Sequence, residues 1–131
     1  MSMDTADLVE AARAAAEGSY SPYSRFRVGS VVIGSEGEVF TGANVENAAY
    51  PSGSCAEATA INAAVSHGVR VIDTVAVACV DADDVADAYP CGKCRQIMSE
   101  FGVRRVIVTS GEGSQIREHT LDELLPHRFG P

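Results

Sequence analysis

Two short cysteine-bearing stretches constrain this chain more than any other feature. They are Ser54-Cys55-Ala56-Glu57-Ala58-Thr59-Ala60 and Tyr89-Pro90-Cys91-Gly92-Lys93-Cys94-Arg95-Gln96, and they read as the two halves of one metal site. Zinc takes thiolate and imidazole ligands in a tetrahedral set, and a catalytic zinc keeps three protein ligands so that water can hold the fourth place. Cys55, Cys91 and Cys94 supply three thiolates. Glu57, two residues past the first, is a carboxylate that need not touch the metal. The alternative is a closed structural site that recruits the fourth cysteine, Cys79. That residue lies in Thr74-Val75-Ala76-Val77-Ala78-Cys79-Val80, a run that reads as a buried strand, where a free Cys behaves as a small hydrophobe.

Composition narrows the functions that fit. A length of 131 residues suits one domain, 1–131, with a real core. No apolar run approaches the ~20 residues that span a bilayer. The start, Met1-Ser2-Met3-Asp4, lacks a basic region followed by an apolar one, so no secretory signal is expected. Unpaired thiols in such a chain point to a reducing cytoplasm. The formal net charge of −8 argues against nucleic acid, because binding to phosphates rests on Lys and Arg.

In chain order, residues 4–17 carry helix formers, with Asp4 or Thr5 as cap and Gly18 as stop. Residues 19–26 form an aromatic, Pro-containing loop, either pinned by buried rings or lining a pocket for a flat base. Arg27–Ile33 and Glu38–Ala43 read as a hairpin about Gly34-Ser35-Glu36-Gly37. Asn44 and Glu46 then share one side of an extended segment. They suit a vicinal diol, or else form a solvent-facing strand end with an Asx turn. A helix follows from Cys55 to about His67, then a strand region from Val69 to Val80. Residues 81–89 read as an acidic, solvated loop.

A further helix runs from Pro90 to about Phe101, and a strand from Arg104 to Thr109. Beyond it come a turn at 110–114, a short strand at Gln115–Glu118, and a helical turn capped by Thr120 with Glu123. The order describes an α/β fold, a three-layer α-β-α sandwich with a mixed sheet of about five strands. Both zinc halves fall at helix N-termini, where free N–H groups and the helix dipole stabilise thiolates. His67, His119 and His127 lack ligand spacing with the cysteines and read as lone surface histidines.

A Cys paired with Glu at this distance, followed by Pro-Cys-x-x-Cys, is the signature of zinc-dependent base deaminases. The segments YSPYSRFRVG, NVENAAYPSGSCAE, PCGKCRQ and ELLPHRFGP together resemble cytidine deaminase in its short, three-cysteine form, from about Tyr20 to Pro131. The resemblance implies hydrolytic deamination of cytidine and deoxycytidine to uridine and deoxyuridine by a homotetramer. It also implies Zn²⁺ on Cys55, Cys91 and Cys94, with Glu57 contacting the pyrimidine ring and shuttling protons. Asn44 and Glu46 would bind the ribose, and Phe26 and Ala56 the nucleoside. Tyr50 would stand at a subunit interface, and Phe129 would close a neighbouring subunit's site.

One departure stands out. Many members of that family carry Arg directly after the Glu, against the zinc thiolates, and here the position is Ala58. Lys93 and Arg95 are the candidates for the missing positive charge. Rival readings are a deaminase for an aminoacyl cytosine nucleoside such as blasticidin S, a polynucleotide deaminase, which the charge disfavours, and a non-catalytic zinc module.

Overall fold

The computed structural model describes residues 3–130 except Glu112 and Ser114. The expected turn at 110–114 therefore lies partly outside the described residues, as do Met1, Ser2 and Pro131 of the two ends.

The first helix, α1 (Thr5–Ala15), starts at Asp4, whose carboxylate accepts from the Asp7 N–H while Asp7 answers the Asp4 N–H. That reciprocal cap satisfies two donors the helix cannot pair internally. The hairpin is β1 (Val28–Gly34) and β2 (Val39–Ala43). Then come α2 (Ala56–Ser66), β3 (Ile72–Cys79), α3 (Gly92–Glu100), β4 (Arg105–Thr109), β5 (Ile116–Thr120) and α4 (Leu121–Leu124). The five strands lie in the order β2-β1-β3-β4-β5. Only β3 and β4 run parallel, with α3 in the crossover between them; the other pairs are antiparallel. This is the expected mixed sheet.

Alternation along the central strands builds three layers. On one face Val31, Ala76, Ala78 and Ile107 meet Leu8, Val9 and Ala12 of α1. On the other, Val32, Val75, Val77, Val106 and Val108 meet Ile61 and Ala64 of α2 and Met98 of α3. Because both faces are covered, β3 and β4 are largely apolar and read as runs, whereas β1, with Ser30 in its middle, reads as alternating. Two of the close glycine approaches seat helices on the sheet. A Cβ on Gly29 would lie 2.0 Å from the Ala12 carbonyl oxygen, and one on Gly42 would lie 2.5 Å from the Ala60 nitrogen and 3.0 Å from the Ala56 oxygen. Gly42 thus lets the first turn of α2, which carries Glu57, rest directly on β2.

Several expectations are refined. Cys55 and Cys91 are N-caps with extended backbone, one residue outside their helices. The segment at 81–89 is not simply solvated: a 3-10 turn at Val85–Asp87 buries Val85, and Ala88 is buried beside it. An acidic composition concealed two small apolar anchors. The last strand reaches Thr120, paired with Arg105, so one residue ends β5 and caps α4.

Candidate active site

The register sets the site's position. Val28, at the start of β1, pairs with Cys79, at the end of β3, so both lie at one end of the sheet. The N-termini of α2 and α3 converge above that end. Cys55 and Cys91 cap the two helices, and Cys94 follows within the first turn of α3. The three sulfurs lie within 4.8 Å of one another, and Cys55 and Cys91 are 4.0 Å apart, sulfur to sulfur. A tetrahedral zinc with Zn–S bonds of about 2.3 Å spaces its sulfurs about 3.8 Å apart, so the donor set fits the ion with little adjustment. Cys79 stands apart from this group. It points to the Ala88 carbonyl at 3.6 Å, and burial pushes its thiol up to about 12. Zn²⁺ would therefore find three protein donors here among the described residues, the pattern that leaves one position open.

The environment of the thiols favours metal binding. Hydrogen bonds from Cys94 and Cys91, together with the charge of Lys93, hold the Cys55 thiol down to about 6. The Cys94 thiol is pushed the other way, because its hydrogen bond to Cys55 and burial both favour the proton. Glu57 is 4% exposed, and burial raises its carboxyl to about 7; the Cys55 thiolate acts in the same direction, while its own N–H and the Cys94 thiol oppose. A carboxyl that can hold or release a proton near neutrality, beside an open metal position, is equipped for general acid–base work.

A cavity of about 700 Å³ opens over the sulfurs and Glu57, within the range that takes a small organic ligand. Phe26, Asn44, Glu46, Tyr50, Ala56 and Lys93 all line it. Asn44 is nearly saturated: Oδ1 accepts from Ser19 Oγ at 2.6 Å and from the Val28 N–H at 2.9 Å, and Nδ2 donates to the Phe26 carbonyl at 2.9 Å. One amide N–H remains for a ligand. Glu46 accepts from the N–H groups of Tyr23 and Ser24 and from the Ser24 hydroxyl, which lowers its pKa. Both residues thus tie down the 19–26 loop as well as facing the cavity.

Two expected residues lie elsewhere. Phe129 is 84% exposed and does not line this chain's own cavity. Arg95 donates to the carbonyls of Pro90 at 2.9 Å and Leu124 at 2.7 Å. Its guanidinium is committed to backbone oxygens and makes no hydrogen bond to a cysteine sulfur among the described residues, whereas the charge of Lys93 acts on the Cys55 thiol. Val77, Cys79, Asp87, Ala88 and Tyr89 also line the cavity and were not expected there. Residues 77 and 79 share a strand face, but which end of the sheet holds the site follows only from topology. Tyr89, adjoining Pro90-Cys91, was the one with a signal to read.

Three thiolates at paired helix N-termini, with a buried carboxyl beside an open metal position on an α-β-α sandwich, define a zinc-dependent hydrolytic deaminase. The family model for the cytidine and deoxycytidylate deaminase zinc-binding region matches residues 2–110, and the chain belongs to that family. It is 45% identical over 128 residues to a cytidine deaminase of Halalkalibacterium halodurans, covering 97% of this chain and 95% of that one. It is 40% identical over 116 residues to the cytidine deaminase of Mycobacterium tuberculosis, covering 88% and 82% of the two chains. The crystal structure of cytidine deaminase from Burkholderia pseudomallei superposes with a TM-score of 0.89 at 40% identity, over 97% of this chain and 100% of that one.

The raised Glu57 carboxyl has a measurable cost in the metal-free protein. Below about pH 4.5 the group is protonated folded or unfolded and contributes nothing. As pH rises through about 7, the unfolded chain ionises first, so stability is lost progressively and then levels off. Metal-free Glu57→Gln should therefore gain on the order of 3 kcal/mol over the parent at pH 8, and nothing at pH 4. Denaturant titrations at the two pH values check this; parallel curves would contradict it.

Proposed function

We propose that the chain works as one domain that hydrolyses cytidine and deoxycytidine to uridine and deoxyuridine with release of ammonia. The observation that carries this reading is Glu57, buried at the floor of the cavity and adjoining a three-thiolate donor set. Cys55, Cys91 and Cys94 would hold a zinc ion, which would supply an activated water. The other steps fall to the chain itself. Glu57 takes the water's proton and delivers it to ring N3 as oxygen bonds to C4. It then takes the remaining proton from the new C4 hydroxyl and passes it to the exocyclic amine, so that the C4–N bond breaks as C4=O forms and ammonia leaves. One group can do both only if its pKa lies near the working pH, which burial provides.

Phe26 offers an apolar face to the base, with Ala56 closing the floor. The free Asn44 N–H and the Glu46 carboxylate receive the sugar hydroxyls as donor and acceptor. Glu46 and Asp87 line the same cavity, and two carboxylates disfavour a phosphate, which supports the nucleoside over the nucleotide as substrate. The same residues and the Phe129 tail favour a plain nucleoside over an aminoacyl one. Phe129 is exposed beyond a left-handed turn at His127 (φ 52°), with its carbonyl accepting from Gln96 at 3.4 Å. This supports a role for its ring in a neighbouring copy's site within a homotetramer, with Tyr50 at the interface. Thiolate donors suit a reducing cytoplasm.

Zinc-loaded protein should convert cytidine, followed as loss of cytosine absorbance, with little activity on deoxycytidylate. Glu57→Gln should reduce turnover by at least about 10²–10⁴-fold, and Phe129→Ala should raise KM without unfolding the chain. Full activity in Glu57→Gln would rule out the shuttle, and a monomer with parental kinetics would rule out the tail's role.

Lys93 takes the compensating role beside the thiolates. Lys93→Ala should surrender zinc to a chelator faster than the parent, read with a colorimetric zinc indicator; an identical release rate would end this assignment.

A further inference from the structure

The wall of the cavity at residues 85–95 is held from a distance. The Val85 N–H donates to Gln115 Oε1 at 3.2 Å, Tyr89 Oη meets His119 Nε2 at 2.7 Å, and Arg95 joins the Pro90 and Leu124 carbonyls. All three outside partners belong to the β5–α4 unit or the residue beside it, not to the zinc-bearing helices. Tyr89 is the link that reaches the cavity itself. Pro90 restricts the residue before it to extended backbone, so Tyr89's main chain is preset, its ring packs against the core, and its hydroxyl is held by His119.

His119 is built to make that contact. It sits within β5 opposite Val106, and its ring lies 5.3 Å from that of Tyr89, inclined at 54°. Its Nδ1 lies 3.7 Å from Glu123 Oε2, and Glu123 is itself held by the N–H and hydroxyl of Thr120 in the cap of α4. A carboxylate on the Nδ1 side favours the proton there, which leaves Nε2 as acceptor for the tyrosine O–H. A residue that reads as a lone surface histidine thus connects a helix cap to the substrate cavity.

We propose that Tyr89 and His119 are positioning residues for the nucleoside: their hydrogen bond fixes the cavity wall beside Cys91 without serving the metal. The inference rests on the cytidine deaminase reading. Tyr89→Phe keeps the ring and removes only the hydroxyl. It should raise the cytidine KM about three- to tenfold, the range one net hydrogen bond supplies, with kcat within about twofold, as expected when binding to substrate and transition state weakens equally. His119→Ala should do the same, the double variant should be no worse than either single one, and His119→Gln, which restores an acceptor, should recover part of the loss. Zinc content should stay at the parental level throughout. In a Glu57→Gln background, calorimetry should show cytidine binding weakened by the same factor when Tyr89→Phe is added.

Parental KM in Tyr89→Phe, additive losses in the double variant, or loss of zinc with a fall in kcat would each overturn the proposal. A parent that neither binds nor converts cytidine would bring down the functional reading together with it. A parent that does, with Tyr89→Phe unchanged, would bring down this inference alone.

Discussion

Everything in this protein depends on holding three sulfurs within 4.8 Å of one another at one end of a sheet. Once ionised, such a cluster repels itself. The fold answers with two helix N-termini whose unpaired N–H groups point toward the cluster, with Lys93 beside it, and with a divalent cation as its natural occupant. The close contact at Gly42 and the sheet order serve that demand. Gly42 brings the first turn of α2 down onto β2, and the β3–α3–β4 crossover delivers the second helix to the same place.

Glu57 follows from the same geometry. Two residues past a thiolate-bearing cap, it lies buried at the cavity floor, and burial there lifts its carboxyl to about 7. The price is stability, since a buried carboxyl resists ionisation. The benefit is a group that binds and releases protons at neutral pH. The asymmetry between Cys79 and the other cysteines belongs to the same logic. Cys79 ends a buried strand and turns to a carbonyl, so the donor set stops at three.

Much of this was legible in the chain. The cap residues Asp4 and Thr120, the hairpin and the two cysteine stretches all mark local physics, and local physics reads directly from sequence. Asn44 and Glu46 were placed on one side of an extended segment and do face the cavity. Their second task, tying the 19–26 loop, was not visible because it depends on partners far along the chain. Arg95 shows the same limit: adjacency to Cys94 suggested a thiolate contact, but its guanidinium bonds the Leu124 carbonyl, brought near by α4. His119 gave no signal at all, because its meaning lies in a strand pairing that sets it beside Tyr89.

The most direct test of the account is X-ray absorption at the zinc edge of the purified protein. It should give three sulfur neighbours at about 2.3 Å and one light atom at about 2.0 Å, unchanged by Cys79→Ser. Four sulfurs, falling to three in Cys79→Ser, would mean a closed structural site and would contradict the account of an enzyme with an open metal position.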